Sequence, residues 1–174
     1  MPLVRREAGG KDRKTREPRE RREVVNIDAV FVGSVPEFYT QYMGPMLFEP
    51  YAADLARRLK GMALAKVLET ACGTGILTRA LAATLPETVP ITPTDLNQPM
   101  LDFAKLQPGG QRVRWQQADA QDLPFADQRF DAVVCQFGVM FFPDKPKTYR
   151  EAFRVLQPDS RFVSASGSGS EPTI

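Results

Sequence analysis

The spacing of hydrophobic and polar positions changes along the chain. Between residues 46 and 60, apolar side chains recur every three or four positions, which predicts an amphipathic helix. From residue 65 onward, short apolar runs typical of buried strands alternate with helical patterns. We expect strands at 65–68, 89–94, 113–117, 130–136 and 161–165, and helices at about 75–85, 98–105 and 144–156.

This alternation of strands and helices predicts an α/β fold. Parallel strands would be joined by right-handed crossovers, with helices on both faces of the sheet. The segment between the third and fourth strands is rich in turn residues, so its helix is expected to be missing or very short. Short helical pieces at 27–42 would precede the sheet.

The two ends of the chain differ in composition from its middle. Residues 1–23 hold nine Lys or Arg against five Asp or Glu, whereas the sequence after Val163 is rich in Ser and Gly. Neither end has an apolar face to bury. We therefore expect a basic disordered leader at 1–26, one domain at 27–163 and a flexible tail at 164–174.

Charge and composition disfavour several classes of partner and location for this protein. The leader interleaves acidic with basic residues and has no aromatic side chain to stack on bases, which disfavours a nucleic-acid partner. Its acidic content disfavours a transit peptide, and no apolar run resembles a signal peptide or reaches the ~20 residues of a membrane span. We expect a cytoplasmic protein that acts on a small molecule.

The chain has no histidine and two cysteines, Cys72 and Cys135. The lack of histidine excludes His-containing metal sites and nucleophile–His pairs, and no metal is expected. Both cysteines fall at the ends of predicted strands in apolar surroundings. We expect them to be small core residues and not a disulfide.

The turn after the first strand carries the first functional signal. Residues 67–75 read Val-Leu-Glu-Thr-Ala-Cys-Gly-Thr-Gly, and a helical pattern follows at once. Such a turn brings backbone N–H groups and a helix N-terminus to the edge of the sheet where nucleoside cofactors bind. A dinucleotide motif needs a third small residue where this chain has Thr78. The turn alone is also compatible with a purely structural role.

Two aspartates follow the next two strands. Asp95 ends the second strand, where a carboxylate can accept hydrogen bonds from a ribose diol, although it could also cap the next helix, a role open to Asn97. Asp119 and Ala120 follow the third strand, where a carboxylate and a backbone N–H can read an adenine edge. Alone, Asp119 would be a turn residue. Together with the glycine turn, the two aspartates predict a three-point nucleoside clamp.

In order and spacing, these motifs resemble the class I S-adenosylmethionine-dependent methyltransferases. The similarity is to their small-molecule branch, which includes the quinone-biosynthesis C-methyltransferases. It spans residues from about 31 to 163 and rests on the segments 67–75, 94–97, 100–101, 118–125, 130–136 and 154–158. It implies a Rossmann-like, doubly wound parallel sheet with strand order 3-2-1-4-5 behind N-terminal helices, and S-adenosylmethionine as the cofactor.

The resemblance also implies which residues contact the methionine part of the cofactor. Glu69 and the backbone at Ala71, Gly73 and Gly75 would surround it. The backbone of Gln136 would meet its amino group.

The nucleoside part would lie against the next two strand ends. Asp95 would hold the ribose hydroxyls, and Leu96 and Met100 would sandwich the adenine. Asp119 and the Ala120 N–H would read the adenine edge.

Tyr39 and Tyr42 align with an N-terminal lid over the cofactor carboxylate and the substrate, with plain aromatic packing as the alternative. The chain departs from the family at Ala71, where glycine is frequent, and at Asp159 and Ser160, where the family has Gly-Gly. The family also continues with a further helix and an antiparallel hairpin. Nothing after residue 163 can form these elements, so the domain is expected to be truncated at its C-terminal side.

The implied reaction moves a methyl group from a sulfonium to a small organic acceptor. The alternatives are a cofactor-binding domain without turnover and an NAD-dependent oxidoreductase. No catalytic residue is assigned, because a base is optional for an acidic acceptor and would have to be a carboxylate, a tyrosine or water.

Overall fold

The computed structural model describes residues 47–109 and 113–166. Its elements alternate as predicted, with four α-helices, five strands and one 3-10 helix in the described residues. In chain order they are α1 (Glu49–Leu59), β1 (Val67–Glu69), α2 (Ile76–Thr84), β2 (Ile91–Asp95), α3 (Gln98–Leu106), β3 (Gln116–Gln117), β4 (Phe130–Gln136), the 3-10 helix (Val139–Phe141), α4 (Lys145–Val155) and β5 (Leu156–Ala165).

The five strands form one parallel sheet in the order β3-β2-β1-β4-β5. β1 is central, with Val67 opposite Ile91 of β2 and Ala132 of β4. The order confirms the predicted Rossmann-like arrangement. It also brings the carboxyl ends of β1, β2 and β4 to one edge of the sheet, which is where ligands bind in open α/β sheets.

Helices cover both faces of the sheet. On one face, Val67 and Val134 pack in a buried cluster with side chains of α1 and α2. On the other face, Leu68 and Val133 pack with the buried side of α4. Because both faces are covered, the inner strands are apolar at successive positions, which is the pattern that predicted them.

The buried face of α1 includes Leu55 and Leu59, which fit the apolar spacing predicted for 46–60, but two other residues of that spacing stay exposed. The large apolar residues Leu47 and Tyr51 are 49% and 51% exposed. Alanines take their place in the core, where small side chains let α1 pack closely on α2. The buried positions of α1 are Ala52, Leu55, Ala56 and Leu59.

Two strand boundaries also differ from the prediction. β3 has two residues instead of five, because it lies at the sheet edge and pairs only with Thr94 and Asp95 at the end of β2. β5 begins at Leu156, directly after α4, and not at residue 161. Its pairing with β4 is interrupted between Leu156 and Arg161, and Asp159 adopts a left-handed φ of 63° inside this irregular stretch. Aspartate tolerates that conformation better than most residues.

Some predictions fall on residues outside the described ranges. These are the leader at 1–26, the helical pieces at 27–42 and the tail from residue 167 onward. Within 47–109 and 113–166, none of the helices has the length and apolar character needed to cross a lipid bilayer. The segment between β3 and β4 has no helix, as expected.

Candidate functional site

A cavity of about 230 Å³ opens at the carboxyl ends of β1, β2 and β4. Most of the predicted site residues line it, although they come from four separate segments of the chain. Of the others, Tyr39 and Tyr42 lie outside the described residues. The predicted residues that line the cavity are Glu69, Ala71, Gly73, Asp95, Leu96, Met100, Asp119, Ala120 and Gln136.

Gly75 is the remaining predicted residue, and it does not line the cavity in the part of the chain that the structure describes. It sits at the N-cap of α2 with a φ of 77°. A Cβ there would lie 2.8 Å from Cη2 of Trp115 and 3.2 Å from Cβ of Ala104. Gly75 therefore permits the turn and the close packing of α2, and any contact with a ligand would be made through its backbone.

Glu69 ends β1 and is only 1% exposed. The hydroxyl of Thr78 on α2 donates to its Oε2 at 2.6 Å. Burial raises the pKa of the Glu69 carboxyl to about 8, an effect that nearby Asp95 reinforces and the Thr78 hydrogen bond opposes. A group this far from its ordinary range, on the wall of a cavity, is a candidate for ligand binding.

Asp95 joins the glycine turn to the start of α3. Its Oδ2 accepts from the backbone N–H of Gly73 at 2.8 Å, and its Oδ1 accepts from the N–H of Asn97 at 2.8 Å. Asn97 occupies the N-cap of α3, but its side chain makes no capping hydrogen bond. The helix-capping interpretation of Asp95 is thus partly right, and the same carboxylate lies on the cavity wall.

Asp119 closes a turn at the far side of the cavity. Its Oδ1 accepts from the N–H of Gln121 at 2.8 Å, which is the local bond of an Asx turn. Asp119 also forms an isolated antiparallel bridge with Asp122. The turn interpretation of Asp119 is therefore correct, and the same turn places Asp119 and Ala120 together at the cavity.

Two side chains of α4 hold the loop that follows Asp119. The guanidinium of Arg154 donates to the carbonyls of Leu123 and Phe125 at 2.9 and 2.8 Å. Glu151 accepts from the N–H of Leu123 at 2.8 Å and pairs with Arg154. α4 therefore positions this wall of the cavity from behind.

Aromatic side chains form the mouth of the cavity, and the sequence analysis missed them. Phe48 precedes α1, whereas Phe137, Phe141 and Phe142 follow β4. The rings of Phe48 and Phe137 lie 5.5 Å apart. The only sequence signal was the apolar run 137–143, placed directly after the carboxyl end of a central strand.

Gln136 and Phe137 fix the geometry of this mouth. The Gln136 side chain donates to the backbone carbonyl of Phe48 at 2.6 Å, so β4 holds the segment before α1 in place. Phe137 has a φ of 56°, which is unusual for a bulky residue, and its N–H donates to Ala165 at 2.8 Å. Strained backbone of this kind is concentrated at functional sites.

Ala71 stands where the family often has glycine. It adopts a left-handed φ of 51°, a backbone torsion that is unusual for a residue with a side chain. Its methyl group faces Gly138. A Cβ on Gly138 would lie 2.4 Å from the Ala71 Cβ and 2.8 Å from the Cys135 Sγ. The glycine at 138 thus makes room for the methyl group that replaces glycine at 71.

Both cysteines are free and buried, as predicted. Burial raises the pKa of the Cys135 thiol to about 11 and also raises the pKa of Cys72. Neither thiol has the lowered pKa of a nucleophile.

The charge of the cavity limits the ligands that it suits. Glu69, Asp95 and Asp119 line it, and no Lys or Arg does so among the described residues. Asp95 and Asp119, together with Glu69 when it is ionised, favour a ligand with positive charge and disfavour the pyrophosphate of a dinucleotide. Nor do the described residues contain a cluster of three or more potential metal ligands of the Cys, Asp and Glu type.

Comparison with known proteins agrees with this geometry. The family model described as a methyltransferase domain matches residues 68–164, more than half of the 174 residues. The chain therefore belongs to this family, within the class I S-adenosylmethionine-dependent methyltransferases, and S-adenosylmethionine is the cofactor of that class. The resemblance inferred from the motifs is confirmed.

Individual relatives are similar over part of their length. A demethylmenaquinone methyltransferase of Lactobacillus johnsonii is 38% identical over 109 residues, which are 60% of this chain and 45% of the relative. The ubiquinone/menaquinone biosynthesis C-methyltransferase UbiE of Idiomarina loihiensis is 37% identical over 121 residues, 67% and 47% of the two chains. The chain spans about half the length of these relatives.

A solved structure shows the same fold. The YcgJ protein of Bacillus subtilis is 29% identical and superposes with a TM-score of 0.60. The match covers 67% of this chain and 50% of YcgJ.

Proposed function

We propose that the cavity binds S-adenosylmethionine and that the protein transfers its methyl group to an apolar, planar acceptor of the quinone-precursor class. One observation carries the proposal: three carboxylates and a set of aromatic side chains line the same cavity at the carboxyl edge of the sheet. The carboxylates suit a ligand with a sulfonium and an ammonium group. The aromatic side chains suit an apolar second substrate.

The residues that line the cavity fit the two halves of the cofactor, its methionine part and its nucleoside part. Glu69 would face the ammonium group, because a buried carboxylate is stabilised by an adjacent positive charge. Asp95, held by two backbone N–H groups, would receive the ribose hydroxyls. The assignment of these roles is our proposal, supported by their position on one cavity wall.

The adenine would lie between apolar side chains at the start of α3. Met100 is buried, and Leu96 is 38% exposed beside the cavity. Asp119 and the N–H of Ala120 would read the edge of the ring. Since Asp119 already accepts from the backbone of Gln121, its carboxylate is held in a fixed orientation.

The acceptor would enter over the aromatic mouth. Phe48, Phe137, Phe141 and Phe142 present apolar rings there, and rings of this kind stack on planar substrates. The names of the relatives from Lactobacillus johnsonii and Idiomarina loihiensis support a quinone precursor as that substrate.

When bound, the cofactor supplies an electrophilic methyl group. The protein's contribution is to align the two substrates and to exclude water, and such alignment contributes up to ~7–11 kcal/mol to a reaction of this kind. The buried residues Glu69 and Cys72 in the cavity wall and the aromatic mouth suit that role. We assign no catalytic residue.

Titration calorimetry with S-adenosylhomocysteine, followed by a methyl-transfer assay with a demethylmenaquinone analogue, tests the proposal. Asp95→Asn should weaken binding by about tenfold or more, since it removes a charged hydrogen-bond acceptor. Asp102→Asn, at an exposed site on α3, is the matched control and should bind like the wild type.

Each outcome separates the candidate functions. Binding with turnover supports the methyltransferase proposal, and binding without turnover with any quinone-like acceptor supports a cofactor-binding domain instead. Saturable NAD binding without affinity for S-adenosylhomocysteine would contradict both.

A further inference from the structure

We propose that Thr78 is a positioning residue that holds the Glu69 carboxylate toward the ammonium group of the cofactor. The inference rests on the proposed function of the cavity. Thr78 was noticed in the sequence only because it does not fit a dinucleotide motif. The structure gives it a different use, as a hydrogen-bond donor from α2 to the end of β1.

The contact joins two buried side chains on either side of the glycine turn that follows β1. Thr78 and Glu69 are each 1% exposed, and the Thr78 Oγ1 lies 2.6 Å from the Glu69 Oε2. A threonine in a helix often donates its hydroxyl hydrogen to a carbonyl one turn back. Here the donor instead reaches a different element and an acid that lines the cavity.

Such a donor matters because the carboxylate must be ionised to attract a cation. Burial raises the pKa of Glu69, whereas the hydrogen bond from the Thr78 hydroxyl lowers it. Among the other groups near Glu69, a carboxylate disfavours its ionisation and a guanidinium favours it, and two thiols lie close by. These groups are Asp95 on β2, Arg79 on α2, Cys72 and Cys135.

The test is Thr78→Val, which keeps the shape of the side chain and its backbone N–H but removes the hydroxyl. Affinity for S-adenosylhomocysteine at pH 7 should fall about tenfold, the equivalent of one hydrogen bond to a charged group. The pH at which binding becomes strong should move upward, because Glu69 then ionises less readily. Thr78→Ser, which retains the donor, should restore both properties.

A generic loss of stability is excluded by two controls. Thr148→Val removes another buried threonine hydroxyl that donates to a backbone carbonyl, outside the cavity, and should leave the affinity unchanged. In a Glu69→Gln background, Thr78→Val should lower the affinity little further, because Thr78 then has no charged carboxylate to orient. Thr78→Ala removes the same hydroxyl and replaces the valine variant if that variant does not fold.

The results distinguish the positioning role of Thr78 from the proposed function of the cavity on which it rests. If the wild type binds S-adenosylhomocysteine but Thr78→Val binds equally well with the same pH dependence, the positioning role is wrong and the proposed function stands. Equal losses from Thr78→Val with and without Glu69 would also overturn it. A wild type that does not bind S-adenosylhomocysteine overturns both.

Discussion

Replacing Glu69 with glutamine should make the ligand-free protein more stable at neutral and alkaline pH. Glu69 is 1% exposed, and burial raises the pKa of its carboxyl to about 8. Its ionised form is therefore costly in the folded state. Glutamine has nearly the same shape, remains neutral at every pH and can still accept the hydrogen bond from Thr78.

The size of the effect follows from proton linkage. The ordinary pKa of a glutamate is 4.5, so between this value and about 8 the folded state holds a proton that the unfolded state has lost. Wild-type stability then falls as the pH rises through this window, by about 1.4 kcal/mol per pH unit from Glu69. Across the whole window, the contribution of Glu69 amounts to about 5 kcal/mol.

Urea unfolding at pH 5, 6, 7 and 8, without ligand, measures this contribution. The free energy of unfolding of Glu69→Gln minus that of the wild type should increase steadily with pH. Glu87→Gln, which removes an exposed carboxyl at the surface, is the matched control, and the steady increase is expected for Glu69→Gln alone. A constant difference between Glu69→Gln and the wild type would refute the argument, since it would mean that Glu69 titrates alike in the folded and unfolded states.

Two further predictions concern the packing behind and below the cavity. Arg154→Met should lower the free energy of unfolding by about 2 kcal/mol, because the Leu123 and Phe125 carbonyls lose a charged hydrogen-bond donor. Urea denaturation measures this loss, and an unchanged midpoint of the urea transition would contradict the prediction. Gly138→Ala should cost about 1–3 kcal/mol, because its methyl group would overlap Ala71. Adding Ala71→Gly should recover part of that loss in the same assay, and a purely additive pair would show that the two positions are not in contact.

The fold could be predicted from local pattern because the pattern has a direct physical cause. A strand buried on both faces must be apolar at successive positions, and β4 is such a strand. The face of α1 could not be predicted in the same way. Leu47, just before α1, and Tyr51 within it stay exposed while Ala52 and Ala56 are buried, since close approach to α2 favours small residues. Packing distance is a property of the assembled domain and leaves no local signal.

The same distinction explains the site. Glu69, Asp95 and Asp119 were predictable because each lies at or just after the carboxyl end of a strand, and these ends converge at one edge of a parallel sheet. Phe48 was not, because it reaches the cavity through a hydrogen bond to Gln136, 88 residues further along the chain. The positive φ of Ala71 was also hidden, because glycine is the usual marker of such a torsion.

Glu69 also connects the stability of the fold with its proposed function. In the ligand-free protein, burial disfavours the ionised form of Glu69 and so raises its pKa. The buried carboxyl therefore destabilises the fold as the pH rises. A bound cation would reverse that preference, because an adjacent positive charge favours the carboxylate. Binding of S-adenosylhomocysteine near pH 7 should therefore release a proton from Glu69. Calorimetry in buffers of different ionisation enthalpy would detect this proton, and Glu69→Gln should bind without releasing it. Glu69, which destabilises the ligand-free protein, would then also be the residue that makes the affinity for a ligand depend on the positive charge of that ligand.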